Sequence, residues 1–130
     1  MSTDDKLRTP LARVRGLGSA RSGTEHFWHQ RLTAVANVPL ATAFVVIVVS
    51  LLGRNHAAVV QILGSPAVAM IMLLFIGSVS YHMRIGMQVI IEDYVHDDIP
   101  KLALLMANTF FCIAVALASA YAIFKLSFGV

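Results

Sequence analysis

The sequence predicts an all-α membrane protein with three transmembrane helices in an up-down-up bundle. Three observations predict it. Of 130 residues, 58% are hydrophobic and only 13% are charged, whereas a soluble domain carries about a quarter charged residues. The charges are clustered. Lys6, Arg8, Arg13, Arg15, Arg21 and Arg31 lie in the first quarter of the chain, and most acids gather at Asp4 and Asp5 or between Glu92 and Asp98. Long tracts between these clusters carry almost nothing ionisable. That is a membrane bundle with polar ends, and a soluble domain is excluded.

The elements follow in order. Residues 1–23 are rich in Arg, Ser, Gly and Asp, and read as a flexible cytoplasmic tail. They contain no apolar run and no small-residue cleavage site, so a secretory signal peptide is not expected. The stretch Ala12 to Gly23 is Arg-rich and acid-poor like a transit peptide, but Asp4 and Asp5 count against that reading. Residues 24–130 form the membrane domain. Its first span covers about 33–52, with only Asn37, Thr42 and Ser50 as polar interruptions. Roughly 20 apolar residues cover the hydrocarbon core, and Pro39 falls in the first turns, where a missing donor costs least. The second span covers about 66–91, starting at Pro66 as helices commonly do. The third covers about 102–124. Each must be helical, because a lone strand in lipid leaves its backbone groups unpaired. The loops, Gly53 to Ser65 and Glu92 to Lys101 with Pro100 as a stop, are short enough to force antiparallel neighbours. No internal repeat is present.

Orientation follows from the basic residues. Six precede or open the first span, Arg54 is alone in the first loop, Lys101 is in the second and Lys125 is near the end. The N-terminus and second loop are therefore expected in the cytoplasm. The net charge of +3 needs no nucleic acid, since basic residues flanking a span serve as an anchor. Cys112 is the single cysteine and sits in an apolar run, where it reads as packing.

The second span holds the informative residues. His82 and Arg84 lie well inside it, where an ionisable group is costly and normally faces a bundle interior, a cofactor or a water-filled cavity. For His82 one reading is a hydrogen bond to a neighbouring helix. The other is ligation. Gly86 lies one turn later on the same face and leaves a flat slot beside the imidazole, as a planar macrocycle requires, and imidazole is a common axial ligand of haem iron. No second histidine lies at membrane depth, because His26 and His29 precede the first span and His56 and His96 lie in loops. A second axial ligand would have to come from another subunit. Arg84 is about 15 Å of helix from the cytoplasmic end, far for snorkelling, so a buried anionic partner is expected. Asp93 and Tyr94 mark that end, where Tyr94 also reads as an interfacial anchor and Asp93 as a solvated carboxylate.

The segment from Ser22 to Thr33 is dense in donors and rings, including His26, Phe27, Trp28, His29, Gln30 and Arg31. Phe27 and Trp28 suit an aromatic belt. Arg31 and Thr33 are expected at the cytoplasmic depth of Tyr94, bringing Arg, His, Asp and Tyr to one level. Such a level suits the polar head of an amphipathic ligand.

At these two stretches the chain resembles the small hydrophobic membrane-anchor subunits of succinate dehydrogenase, respiratory complex II. The matching pieces are Ser22-Gly23 through Arg31-Leu32-Thr33-Ala34, and His82-x-x-x-Gly86 through Gln88-Val89 to Asp93-Tyr94-Val95. The three-helix hydropathy and length match over nearly the whole chain. The resemblance implies a heterotetramer in which a flavoprotein subunit with FAD oxidises succinate and electrons pass through an iron–sulfur subunit. This chain and a sister anchor subunit would bind one haem b and ubiquinone, the substrate that is reduced. On that reading His82 is an axial ligand of the haem iron, and Arg31, Arg84 and His26 pair with propionates or the quinone rim. Tyr94 would donate to a quinone carbonyl oxygen with Asp93 in support. Arg84 departs from the family, some of whose members carry an aromatic residue there.

The expected function is thus a membrane-anchor subunit in electron transport and the tricarboxylic acid cycle, one that catalyses nothing alone. A haem-free structural anchor is the first alternative. A small transporter subunit is the second, disfavoured because the third span offers only Asn108, Thr109 and a few small hydroxyls. The short tail with its early acids points to a bacterial inner membrane over a mitochondrial one.

Overall fold

The computed structural model describes residues 9–15 and 22–129. They form helices α1 (Pro10–Val14), α2 (Ser22–Leu51), α3 (His56–Leu63), α4 (Pro66–Tyr94) and α5 (Asp98–Phe128). No strand occurs among the described residues. Three helices, α2, α4 and α5, are long and apolar enough to cross a membrane. At 1.5 Å per residue they measure roughly 42–47 Å, more than the ~30 Å of hydrocarbon. Each therefore tilts or extends into the headgroup zone. Of the tail expected over residues 1–23, residues 1–8 and 16–21 lie outside the described residues.

Helices α2 and α5 begin earlier, and α4 and α5 end later, than the apolar runs. Helix α2 starts at Ser22, not near Thr33. Polar side chains can be hydrated at the membrane surface while the backbone stays paired within the helix, so hydropathy alone underestimates helix length. The first loop is not all loop. Gly53, with φ 72°, turns the chain after α2 in a conformation glycine adopts without strain. The Asn55 side chain then accepts from the Ala58 N–H at 2.9 Å and caps the two-turn helix α3. Pro66 is the first residue of α4. At the other end only residues 95–97 separate α4 from α5, and Pro100 lies in the first turn of α5 instead of acting as a stop. Its missing N–H would have had no helical partner there.

The three long helices run up, down and up, with α4 in the middle. Helix α4 packs on both α2 and α5, which barely touch each other. A layer one helix thick has little interior: among the described residues, only Ala69, Ser80, Ile85, Ile91, Cys112 and Ile123 are buried. Rows of exposed Val, Leu and Phe on α2 and α5 fit a surface that meets lipid or other subunits. The rings of Phe44 and Phe75 stack at 4.9 Å between α2 and α4. Helix α3 ends against the end of α5, where a Cβ on Gly64 would stand 2.6 Å from the Leu126 carbonyl oxygen. Only glycine permits that approach.

Candidate functional site

The site lies where the first half of α2 meets the second half of α4. His82 is half-buried on α4 and faces α2. Its Nδ1 lies 3.0 Å from the Thr33 hydroxyl oxygen, and its Nε2 lies 3.5 Å from the Gln30 amide nitrogen. The Thr33 hydroxyl is itself 2.7 Å from the His29 carbonyl oxygen and 3.1 Å from that of Gln30. Such side-chain bonds to the preceding turn are usual for helical Thr. Gly86 is one turn along α4, and a Cβ built there would meet only the Gln30 amide nitrogen, at 3.4 Å. The space beside the imidazole is thus bordered by one flexible side chain.

Polar atoms along this seam are incompletely partnered. The side-chain oxygens of Gln30, Asn37 and Ser78 are buried and have no hydrogen-bond partner among the described residues. Native structures leave few such groups. Thr33 is one turn from Asn37 and Ser78 one turn from His82, so in antiparallel helices both lie to one side of the imidazole, with Gln30 toward the other.

Toward the end of α4 the seam opens into a cavity of about 620 Å³ lined by His26, Phe27, Gln30, Arg31, Ile85, Val89 and Glu92. The Arg31 guanidinium stacks over the Phe27 ring at 4.2 Å, which holds its charge at the cavity mouth. His26 and Ile85 also border a second space, of about 250 Å³, with Glu25, His29, Tyr81, Arg84 and Gln88. There the Tyr81 hydroxyl and His29 Nδ1 are 3.1 Å apart.

The structure places His26 and Arg31 on one cavity, and His82 and Gly86 against Gln30, which also lines it. Arg84 turns partly away: its Nε donates to the Thr109 hydroxyl at 3.4 Å, and Asn108 donates to the Arg84 carbonyl at 2.9 Å. Both partners are on α5. Asp93 and Tyr94 stand at the end of α4, and Tyr94 is 78% exposed. Neither lines the large cavity. Thr33 does not lie at the depth of Tyr94 as expected. It lies beside His82, about 18 Å of helix away, because α2 already begins at Ser22. The same early start places His29 inside the helix against Tyr81. Gln30 was the residue least visible in the sequence. Its spacing of three from Thr33 on one helical face is the signal that finds it.

These features define the class of the protein as a three-helix integral membrane subunit with a deep histidine in a polar seam. Residues 5–124 match the family of succinate dehydrogenase/fumarate reductase transmembrane subunits, and the chain belongs to that family. It is similar to the succinate dehydrogenase hydrophobic membrane anchor subunit of Paracoccus denitrificans, 31% identical over 93% of each chain. It is also similar to the subunits of that name from Rickettsia bellii, 27% identical over 91% of this chain and 94% of the relative, and Rickettsia conorii, 25% identical with the same coverage. No solved structure matches it.

Proposed function

We propose that this chain is the membrane-anchor subunit of a succinate:ubiquinone oxidoreductase, that it binds haem b jointly with a sister anchor subunit, and that it forms part of the ubiquinone reduction site. The family and the relatives support the anchor role, and the bacterial relatives support a bacterial inner membrane. The observation that carries the haem reading is His82, half-buried and facing a seam with Gly86 beside it. The residues fit the group. A soft, displaceable amide borders the imidazole Nε2 at 3.5 Å, and buried oxygens of Gln30, Asn37 and Ser78 leave the seam unfinished.

His82 would hold the iron, and Arg31 and His26 at the cavity mouth would pair with carboxylates that reach it. Haem b supplies a one-electron relay within the membrane. Ubiquinone reduction takes up two electrons from the iron–sulfur subunit and two protons from the aqueous side. The Tyr94 phenol donates a hydrogen bond to a quinone carbonyl oxygen, and a fixed donor there stabilises negative charge as it develops. Asp93 supports that phenol, and the exposure of Tyr94 leaves it free to meet a ligand held between subunits. The basic N-terminal segment puts this end of the bundle on the cytoplasmic side, where protons and the partner subunits are at hand.

The test is a reduced-minus-oxidised spectrum of the purified complex. A six-coordinate b-type signal is expected in the wild type and is expected to disappear in His82→Ala. Tyr94→Phe is expected to assemble, keep its haem and reduce ubiquinone at least tenfold more slowly, as loss of one oxyanion-type donor typically costs about 10²–10³. Unimpaired quinone turnover in that variant sinks the tyrosine assignment. A second reading has an observation of its own: both ring nitrogens of His82 already have partners on α2, as in a histidine that only joins two helices. A wild-type complex without haem absorption establishes that reading.

A further inference from the structure

Resting on the haem reading above, we propose that Thr33 is the positioning residue of the iron ligand: its hydroxyl oxygen accepts the His82 Nδ1–H, sets the imidazole tautomer and lowers the potential of the bound haem. The assignment comes from hydrogen placement. A hydroxyl has one hydrogen. At 2.7 Å from the His29 carbonyl oxygen, the Thr33 oxygen must direct that hydrogen to the carbonyl, since a carbonyl cannot donate. Toward His82 Nδ1, 3.0 Å away, only a lone pair remains. Nδ1 therefore carries the proton.

The other ring nitrogen agrees. Nε2 faces the Gln30 amide nitrogen, which can only donate, so Nε2 presents its lone pair. That is the tautomer an iron ligand needs. At 3.5 Å this second contact is at the outer limit of a hydrogen bond, and giving it up costs little. The Thr33 contact is short and lies on the opposite side of the ring, so it survives when Nε2 binds iron.

Thr33 is also rigid. Its branched side chain has few rotamers in a helix, and the bond to the preceding turn holds the hydroxyl in one of them. A chain of carbonyl, hydroxyl and imidazole N–H polarises along its length. Outer partners of this kind raise the basicity of a ligating histidine. A more basic ligand favours ferric over ferrous iron and lowers the potential.

The experiment is a redox titration of the haem in the intact membrane complex, comparing wild type, Thr33→Val and Thr33→Ser, with His82→Ala as the reference for ligand loss. Valine keeps the branch and removes the acceptor. It is expected to shift the ferric–ferrous balance three- to tenfold toward ferrous iron, at most ~59 mV for one electron, and to alter the electron paramagnetic resonance of the ferric haem. Serine is expected to restore both to the wild-type values. A valine variant with wild-type potential and resonance overturns the proposal, and so does a serine variant that shifts as far as valine, since volume alone would then be the cause. Should the valine variant not assemble, Thr33→Cys takes its place, with a weaker acceptor of similar size and the same expected direction. Haem retained in His82→Ala overturns the ligand reading itself, which a null result at Thr33 does not.

Discussion

The two seams of α4 carry opposite kinds of polar chemistry. Against α5, most polar groups meet partners, although the buried Ser127 hydroxyl has none among the described residues: Asn108 donates to the Arg84 carbonyl, Arg84 donates to Thr109, and the buried Cys112 thiol lies 3.5 Å from the Asn108 side-chain oxygen. Against α2, the polar groups surround a histidine, and three buried oxygens have no partner among the described residues. In lipid, helix association draws on packing and interhelical hydrogen bonds, not on the hydrophobic effect. A seam whose polar groups are satisfied is built to hold helices together. The unpaired oxygens of the α2 seam lie beside a deep imidazole, where the proposed haem would sit. Arg84 belongs to both sides: its side chain donates to Thr109 on α5 and also borders the smaller cavity.

Breaking the α2 seam should have the largest effect. Gly86→Leu puts a branched side chain where even a Cβ already stands 3.4 Å from Gln30, and is expected to abolish haem retention while the complex still assembles. Gly86→Ala is expected to keep most of the haem, which an absorption spectrum of each purified complex checks. Next is the junction of α3 with α5. Gly64→Ala must move backbone, since its Cβ would fall 2.6 Å from the Leu126 oxygen, and overpacking of this kind costs about 1–3 kcal/mol. A lower midpoint of thermal unfolding in detergent, with an unchanged haem spectrum, is the expected result. The smallest effect belongs to the α5 seam. Asn108→Leu removes one interhelical bond, worth about 0.6 kcal/mol on average in a membrane protein and at most about 1.7. Thermal unfolding should register it and the haem potential should not. A large haem effect from Asn108→Leu, or none from Gly86→Leu, would erase the contrast between the seams.

Much of the architecture was legible along the chain because lipid imposes a simple rule. A run of about 20 apolar residues must be a helix, and Pro66 and the short loops set the order and direction of the helices. His82, Asp93 and Tyr94 stand out in the sequence for a related reason, since ionisable and aromatic groups near a span are costly or interfacial. The structure, however, keeps Asp93 and Tyr94 at the end of α4, away from His82. Helix ends were less legible, since Ser22–Leu32 is polar yet helical, and Asn55 makes a helix of what reads as loop.

The sequence by itself determined that this chain crosses a membrane three times and that a histidine lies deep in its second span, because both follow from the free energy of placing single groups in hydrocarbon. Only the tertiary structure decided which helix that histidine faces. Helical phase relative to a neighbour depends on how two surfaces pack, and no one-dimensional pattern encodes it. Packing put Thr33 and Gln30 on either side of the His82 ring and turned the Arg84 side chain toward Thr109 on α5. The sequence supplied the residues and their depth; the pairing of surfaces assigned their partners.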